Sequence, residues 1–163
     1  MKLQEELKQM AIVHGLCAQW QREWGNPDLA GLCDKYIRGL DFCIKHDFPS
    51  IEYMEKHFRG KVEDYGIYIN DDMVSVNQKN VVIIGSSHLT IQTDRICDVT
   101  VLHNSKVEIE ATGNAFVYVS MHHNSHLVIL RKSSSASVCV SYFGGKIETP
   151  EMIDKIHNKV IGG

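Results

Sequence analysis

No stretch of this chain approaches the run of about eighteen apolar residues that a membrane-spanning helix needs, and its charged, amphipathic first residues do not read as a secretory signal. A soluble, cytoplasmic protein is the expectation, with no membrane contact. Excess basic charge is also missing: 17 Lys and Arg stand against 20 Asp and Glu, whereas binding to a nucleic-acid backbone rests on clustered cations. Nucleic acid is therefore not the expected partner. The cysteines number five, an odd count in a chain without an export signal, so free thiols are expected rather than a disulfide framework. No nucleophilic triad, phosphate-binding glycine loop or metal-hydrolase signature occurs. Nothing in the sequence requires a cofactor, and a non-enzymatic role is the expectation.

What the chain does have is a repeat. His103-Asn104-Ser105 precedes KVEIE, and His123-Asn124-Ser125 precedes HLVIL twenty residues later. A self-similarity of this length is one turn of a stacked β-coil. The series extends as Ser87-x-Leu89-x-Ile91, Ser105-x-Val107-x-Ile109, Ser125-x-Leu127-x-Ile129 and Gly145-x-Ile147. A second series lies between its members: Cys97-x-Val99-x-Val101, Ala115-x-Val117-x-Val119 and Ala136-x-Val138-x-Val140. Period-two runs rich in Val and Ile, bounded by Gly, Asn, Ser and Asp, read as strands with one buried face. Two such strands per near-constant period place each strand beside its equivalent one turn on. The spacing predicts a parallel β-helix or β-roll of roughly four coils over residues 61–149, with Asp72-x-Val74-x-Val76 and the run from Val81 to Ile84 as earlier members. Cys97 then points inward and Cys139 outward. The cross-section, with two sides or three, stays open.

Residues 1–60 change character. An apolar stripe at Leu3, Leu7, Met10, Val13, Leu16, Trp20 and Trp24 has helical spacing. Asn26-Pro27-Asp28 suits an N-cap with Pro in the first turn, and the stripe resumes at Leu29, Leu32, Tyr36, Leu40 and Cys43 until Phe48-Pro49. Ser50 can cap a short third helix. The N-terminal module thus reads as two long helices and one short one, either a cap for the coil or a separate docking module. Residues 150–163 read as a C-terminal capping helix from Thr149-Pro150-Glu151, with Ile153, Ile156 and Val160 on one face. The fold class is α+β. Covered ends weigh against head-to-tail polymerisation, since an open coil exposes unpaired strand edges.

Two groups of residues stand out as candidate sites. His103, Asn104, Ser105, His123, Asn124 and Ser125 occupy equivalent corners, where Asn tolerates a left-handed backbone and can bond its copy one turn on. A metal shared by the two histidines would want a Cys or carboxylate at a matching corner. None is there, so the corners read as structural and no metal site is assigned. The second group is a face: Phe116 and Tyr118 point outward, Met121 follows, and Tyr142 and Phe143 come one turn later. Aromatic and Met side chains gathered on one face suit a partner surface, unless an N-terminal helix folds back over them. The opposite face carries His88, Lys106, His126 and Lys146 in one column and Thr90, Glu108, Val128 and Glu148 in the next. Paired carboxylates leave a carbohydrate-binding or carbohydrate-cleaving β-helix as the alternative. Glu108 and Glu148 lie two turns apart with Val128 between them, and the aromatics are on the other face.

The plan of a helical start, a short run of small-x-apolar-x-apolar turns and a terminal cap, with Phe48-Pro49-Ser50 through Glu55 to Phe58 leading into the coil, resembles small uncharacterised proteins of gut Bacteroidales and their prophages. That resemblance implies no activity. The coil is also similar to that of bactofilin cytoskeletal proteins, but helices on both sides depart from the bactofilin pattern. The reading of the whole is a non-catalytic scaffold or protein-interaction module, phage- or mobile-element-encoded, whose partner is another protein or a second copy of itself.

Overall fold

The structure is a computed structural model that describes residues 2–160, and the chain divides into two compact units, one up to Met54 and one from Glu55. The first unit is helical: α1 (Leu3–Val13), α2 (Ala18–Glu23), α3 (Leu29–Arg38) and α4 (Leu40–His46), with α5 (Ile51–His57) running across the boundary. Five short helices thus replace the two long and one short expected. Glycine is the reason. Gly15 takes a φ of 95° just past α1, where its N–H bonds Ile12 O, and Gly39 interrupts the second stripe between α3 and α4. The cap of α3 is Asp28 rather than Asn26, its carboxylate accepting from the Gly31 N–H at 2.8 Å. Ser50 caps α5 as expected, its Oγ accepting from the Tyr53 N–H at 3.2 Å.

The second unit is the coil. Its strands are β1 (Ile67–Ile69), β2 (Asp72–Val76), β3 (Asn80–Ile84), β4 (His88–Thr93), β5 (Ile96–Val101), β6 (Lys106–Ala111), β7 (Phe116–Met121), β8 (His126–Lys132), β9 (Ser137–Tyr142), β10 (Lys146–Ile147) and β11 (Lys155–Asn158). All pairings are parallel, in two sheets: β1-β3-β5-β7-β9-β11 and β2-β4-β6-β8-β10. Each turn contributes one strand to each sheet, so the coil is a two-sided β-solenoid of about five turns. The extra turn is β1 and β2, where Val74 and Val76 point outward and are 54% and 60% exposed. Their alternation is out of phase with that of the later repeats.

Inward residues stack in columns because equivalent positions recur one turn apart. One core column runs Tyr68, Ile83, Val101, Met121, Tyr142; another runs Leu89, Val107, Leu127, Ile147. Burying each such side chain contributes on the order of 1.5–3 kcal/mol. The second repeat series is shifted by two residues from the sequence alignment: Cys97 pairs with Val117, not Ala115. An even shift leaves every side chain on its face, so the core assignments survive it. One irregularity is an extra residue in β8, where the register steps between Ile109 and Glu110 and Leu130 bulges outward, 48% exposed.

Corners are held by small buried residues. Ser105 Oγ accepts from the Ser87 N–H and donates to Gly85 O, both at 3.1 Å, while Ser87 Oγ accepts from the Asp71 N–H at 3.0 Å. The last position in this column is Gly145, where a Cβ would lie 2.3 Å from Ser125 O.

The ends are closed differently from one another. At the start, the outer-edge N–H groups of β1 are consumed locally, Ile67 by Val62 O at 3.3 Å and Ile69 by the Asp71 carboxylate at 3.0 Å. Arg59 bridges Glu55 and Asp71 at 3.0 and 3.2 Å. At the finish, the expected capping helix is absent over its described part. Pro150–Met152 make a single 3-10 turn and Lys155–Asn158 join the odd-numbered sheet as β11; residues 161–163 of that expected helix lie outside the described residues. Met152 and Ile153 pack on the core. Asp154 anchors the turn, and extended backbone after it pairs with β9, which satisfies a sheet edge that an isolated helical turn would have left open.

Candidate interaction surface

Strand alternation sets the outward residues of the odd-numbered sheet. Ile96, Phe116 and Ser137 form one outward column; Asn80, Asp98, Tyr118, Cys139 and Lys155 form the next; Thr100, Ser120, Ser141 and His157 form a third. Ile96 and Phe116 are direct register neighbours on β5 and β7, 66% and 43% exposed. Tyr118 lies on the same face two residues on, its hydroxyl 2.8 Å from Ser141 Oγ. That bond fixes the ring along the sheet.

The structure brings together only part of the residue set expected from sequence. Phe116 and Tyr118 are on the outer face. Met121 is not: β7 runs through it, so alternation carries it inward, where it is fully buried in the core. Tyr142 follows it in the same column, packs against the core and donates its hydroxyl proton to Gly145 O at 2.7 Å. Phe143 is 46% exposed at the corner after β9, its ring stacked on His122 at 4.4 Å and 9°. Ile96 was missed because the second repeat series was opened at Cys97; the inward Cys97 itself implies an outward Ile96.

At the histidine corners the left-handed residues are His103 and His123, with φ of 59° and 60°, and not Asn104 or Asn124. The two rings stack at 5.2 Å and 14°. Each Nδ1 accepts from the backbone of the turn before, His103 from the Gly85 N–H and His123 from the His103 N–H, both at 3.0 Å. Ser105 and Ser125 are buried beneath them. The corner is thus a hydrogen-bonded column. Among the described residues no three His, Cys, Asp or Glu side chains gather as metal ligands.

The outer face of the even-numbered sheet carries a set of paired charges beside the exposed apolar Val74, Val76 and Leu130. Glu108 contacts His88 and lies 3.8 Å from Lys106 Nζ; Glu148 Oε1 lies 2.9 Å from His126 Nε2 and 3.9 Å from Lys146 Nζ. Both carboxylates of the carbohydrate alternative are therefore flanked by bases. Exposed pairs of this kind contribute about 0–1 kcal/mol each. Burial pushes the Cys97 thiol up to about 12 and the Cys33 thiol to about 11, so both stay protonated and unreactive near neutrality.

Comparison with protein-family models, with curated proteins and with solved structures found no match to this chain.

Proposed function

We propose that the chain is a non-catalytic scaffold, a rigid β-solenoid that offers the outer face of its odd-numbered sheet to a protein surface, in the first instance that of a second copy. The observation that carries this reading is the adjacent pair Ile96 and Phe116, large apolar side chains more than two-fifths exposed on a regular sheet, with Tyr118 beside them. Aromatic and apolar anchors on a fixed backbone lose little conformational freedom on docking, which favours them as interface centres. The paired charges of the other sheet suit a solvated face. A cytoplasmic location and a phage or mobile-element origin belong to the same proposal, the latter resting on the resemblance of the sequence.

Cys139, the register neighbour of Tyr118, gives a direct probe. Its labelling by a thiol reagent should slow as protein concentration rises, because assembly covers the column. A rate independent of concentration would contradict self-association through this face and redirect the reading to a foreign protein partner.

A further inference from the structure

We infer that the second copy docks on the odd-numbered sheet in reverse, about a two-fold axis running along the strands between β7 and β9, so that Asp98 of each copy pairs with Lys155 of the other. This rests on the self-association proposed above and adds its geometry. Asp98 and Lys155 belong to one outward column, Asn80, Asp98, Tyr118, Cys139 and Lys155, on β3, β5, β7, β9 and β11. Both side chains are exposed. Three turns separate them, about 14 Å at the spacing of paired strands, and among the described residues neither takes part in an ion pair or side-chain hydrogen bond. By contrast, Asp94 and Arg95 at the adjoining corner pair with each other at 3.3 Å, and Glu108 and Glu148 on the other sheet already meet bases. Asp98 and Lys155 are thus unpaired opposite charges on the face that carries the apolar patch.

A two-fold axis between β7 and β9 reverses the column. It sets β5 opposite β11 and β7 opposite β9, so that Asp98 faces Lys155 at both ends of the contact. An isologous interface makes each such pair twice, and a pair covered by the partner is screened by salt much less than an exposed one. Side-chain size follows the same symmetry. Phe116 and Tyr118 on β7 are the register partners of Ser137 and Cys139 on β9. Reversal lays the two aromatic rings of each copy over the two small residues of the other. A copy with its turns running the same way would instead set β7 against β7, rings against rings and Asp98 against Asp98.

The open part of the face is centred on this axis as well. On β1 and β3 the outward side chains Ile67, Ile69, Val82 and Ile84 are buried, which leaves the face open over β5, β7, β9 and β11. Of these four strands β7 and β9 are the middle pair. Charge, size and extent therefore select the same centre.

The test is sedimentation equilibrium of the full chain as wild type, Asp98→Lys, Lys155→Asp, the double variant Asp98→Lys/Lys155→Asp, and an equimolar mixture of the two single variants. Each single variant brings like charges together twice, and its dimer is expected to weaken roughly a hundredfold. The double variant restores both pairs and should dimerise as wild type does. So should the mixture, in which both lysines of one chain meet both aspartates of the other. A single variant that had merely misfolded would not recover on mixing. Single variants that dimerise as tightly as wild type, beside a wild type that Tyr118→Asp dissociates, would overturn the reversed pairing and leave the face itself standing. Weakened single variants that neither the double exchange nor the mixture restores would overturn it equally. A monomeric wild type would overturn the self-association and this geometry together.

Discussion

Asp154 fastens the last strand of the coil to Val138: its carboxylate accepts the Val138 N–H at 2.8 Å, and its own N–H donates to Val138 O at 2.9 Å. Lys132 Nζ completes the clamp at 2.8 and 2.9 Å. The Lys132 ammonium and the Val138 N–H hold the Asp154 carboxyl below its ordinary value. A lowered carboxylate value adds stability above the unfolded pKa of about 3.9, and that stability is lost as pH falls through the folded value. Asp154→Asn should lower the urea midpoint at pH 6, and the gap from wild type should narrow as the pH falls below about 3.9. A gap of unchanged size at pH 3 would mean that the charge does not contribute.

Met121 and Phe116 sit on one strand but face opposite ways, and substitution should separate them sharply. Met121→Ala removes a fully buried side chain and should cost about 2–5 kcal/mol. Phe116→Ala removes an exposed one and should leave the thermal midpoint of the dilute protein within a few degrees of wild type. Equal losses would mean that β7 does not run through Met121.

Gly145 and Gly113 both have positive φ, 104° and 55°, but their surroundings differ. A Cβ at Gly145 would strike the Ser125 backbone at 2.3 Å, whereas at Gly113 the nearest atom is 3.7 Å away. Gly113→Ala should cost only the left-handed penalty of about 1–2 kcal/mol, and Gly145→Ala distinctly more. Denaturant titration of the two variants side by side checks the order.

Ser105 and Ser125 are equivalent in sequence yet unequal in bonding. Ser105 Oγ both accepts and donates, while Ser125 Oγ is buried with no hydrogen-bond partner. Ser105→Ala should therefore destabilise by about 1–3 kcal/mol, and Ser125→Ala should be nearly neutral or stabilising.

Much of this coil was legible in the chain because period-two alternation and a period near twenty residues fix both the facing of each side chain and the neighbour it stacks on. The column through Val107 and Leu127 follows from that alone, as does the inward facing of Val99 and Val119. Where the period drifts, as between Cys97 and Val117, the small residue opening each strand no longer marks the register, and a shift of two leaves no trace in the pattern because it preserves the faces. Met121 and Tyr142 were misplaced because a strand's last residue carries no local stop signal: Met121 continues β7 through backbone pairing to Val101 and Tyr142. The C-terminal segment misled for another reason. Its Ile153, Ile156 and Val160 have helical spacing, but Asp154 and the open edge of β9 supply tertiary bonds that outweigh a short helix's weak intrinsic preference. At the corners, Asn104 and Asn124 looked like the left-handed residues on propensity, yet His103 and His123 take that backbone because their Nδ1 atoms reach the amides of the turn before. Of the candidate face, Phe116 and Tyr118 were readable from alternation, and Ile96 was readable once Cys97 was placed inward.

The most direct test of the scaffold reading is the solution mass of the full chain by light scattering, measured for wild type, Tyr118→Asp and Val74→Asp. Val74 is an exposed apolar residue on the other sheet and serves as the control. The expected result is a defined oligomer for wild type and Val74→Asp that Tyr118→Asp dissociates to monomers. A wild type that is monomeric at every concentration, or an oligomer that Tyr118→Asp leaves intact, would contradict assembly through the outer face of the odd-numbered sheet.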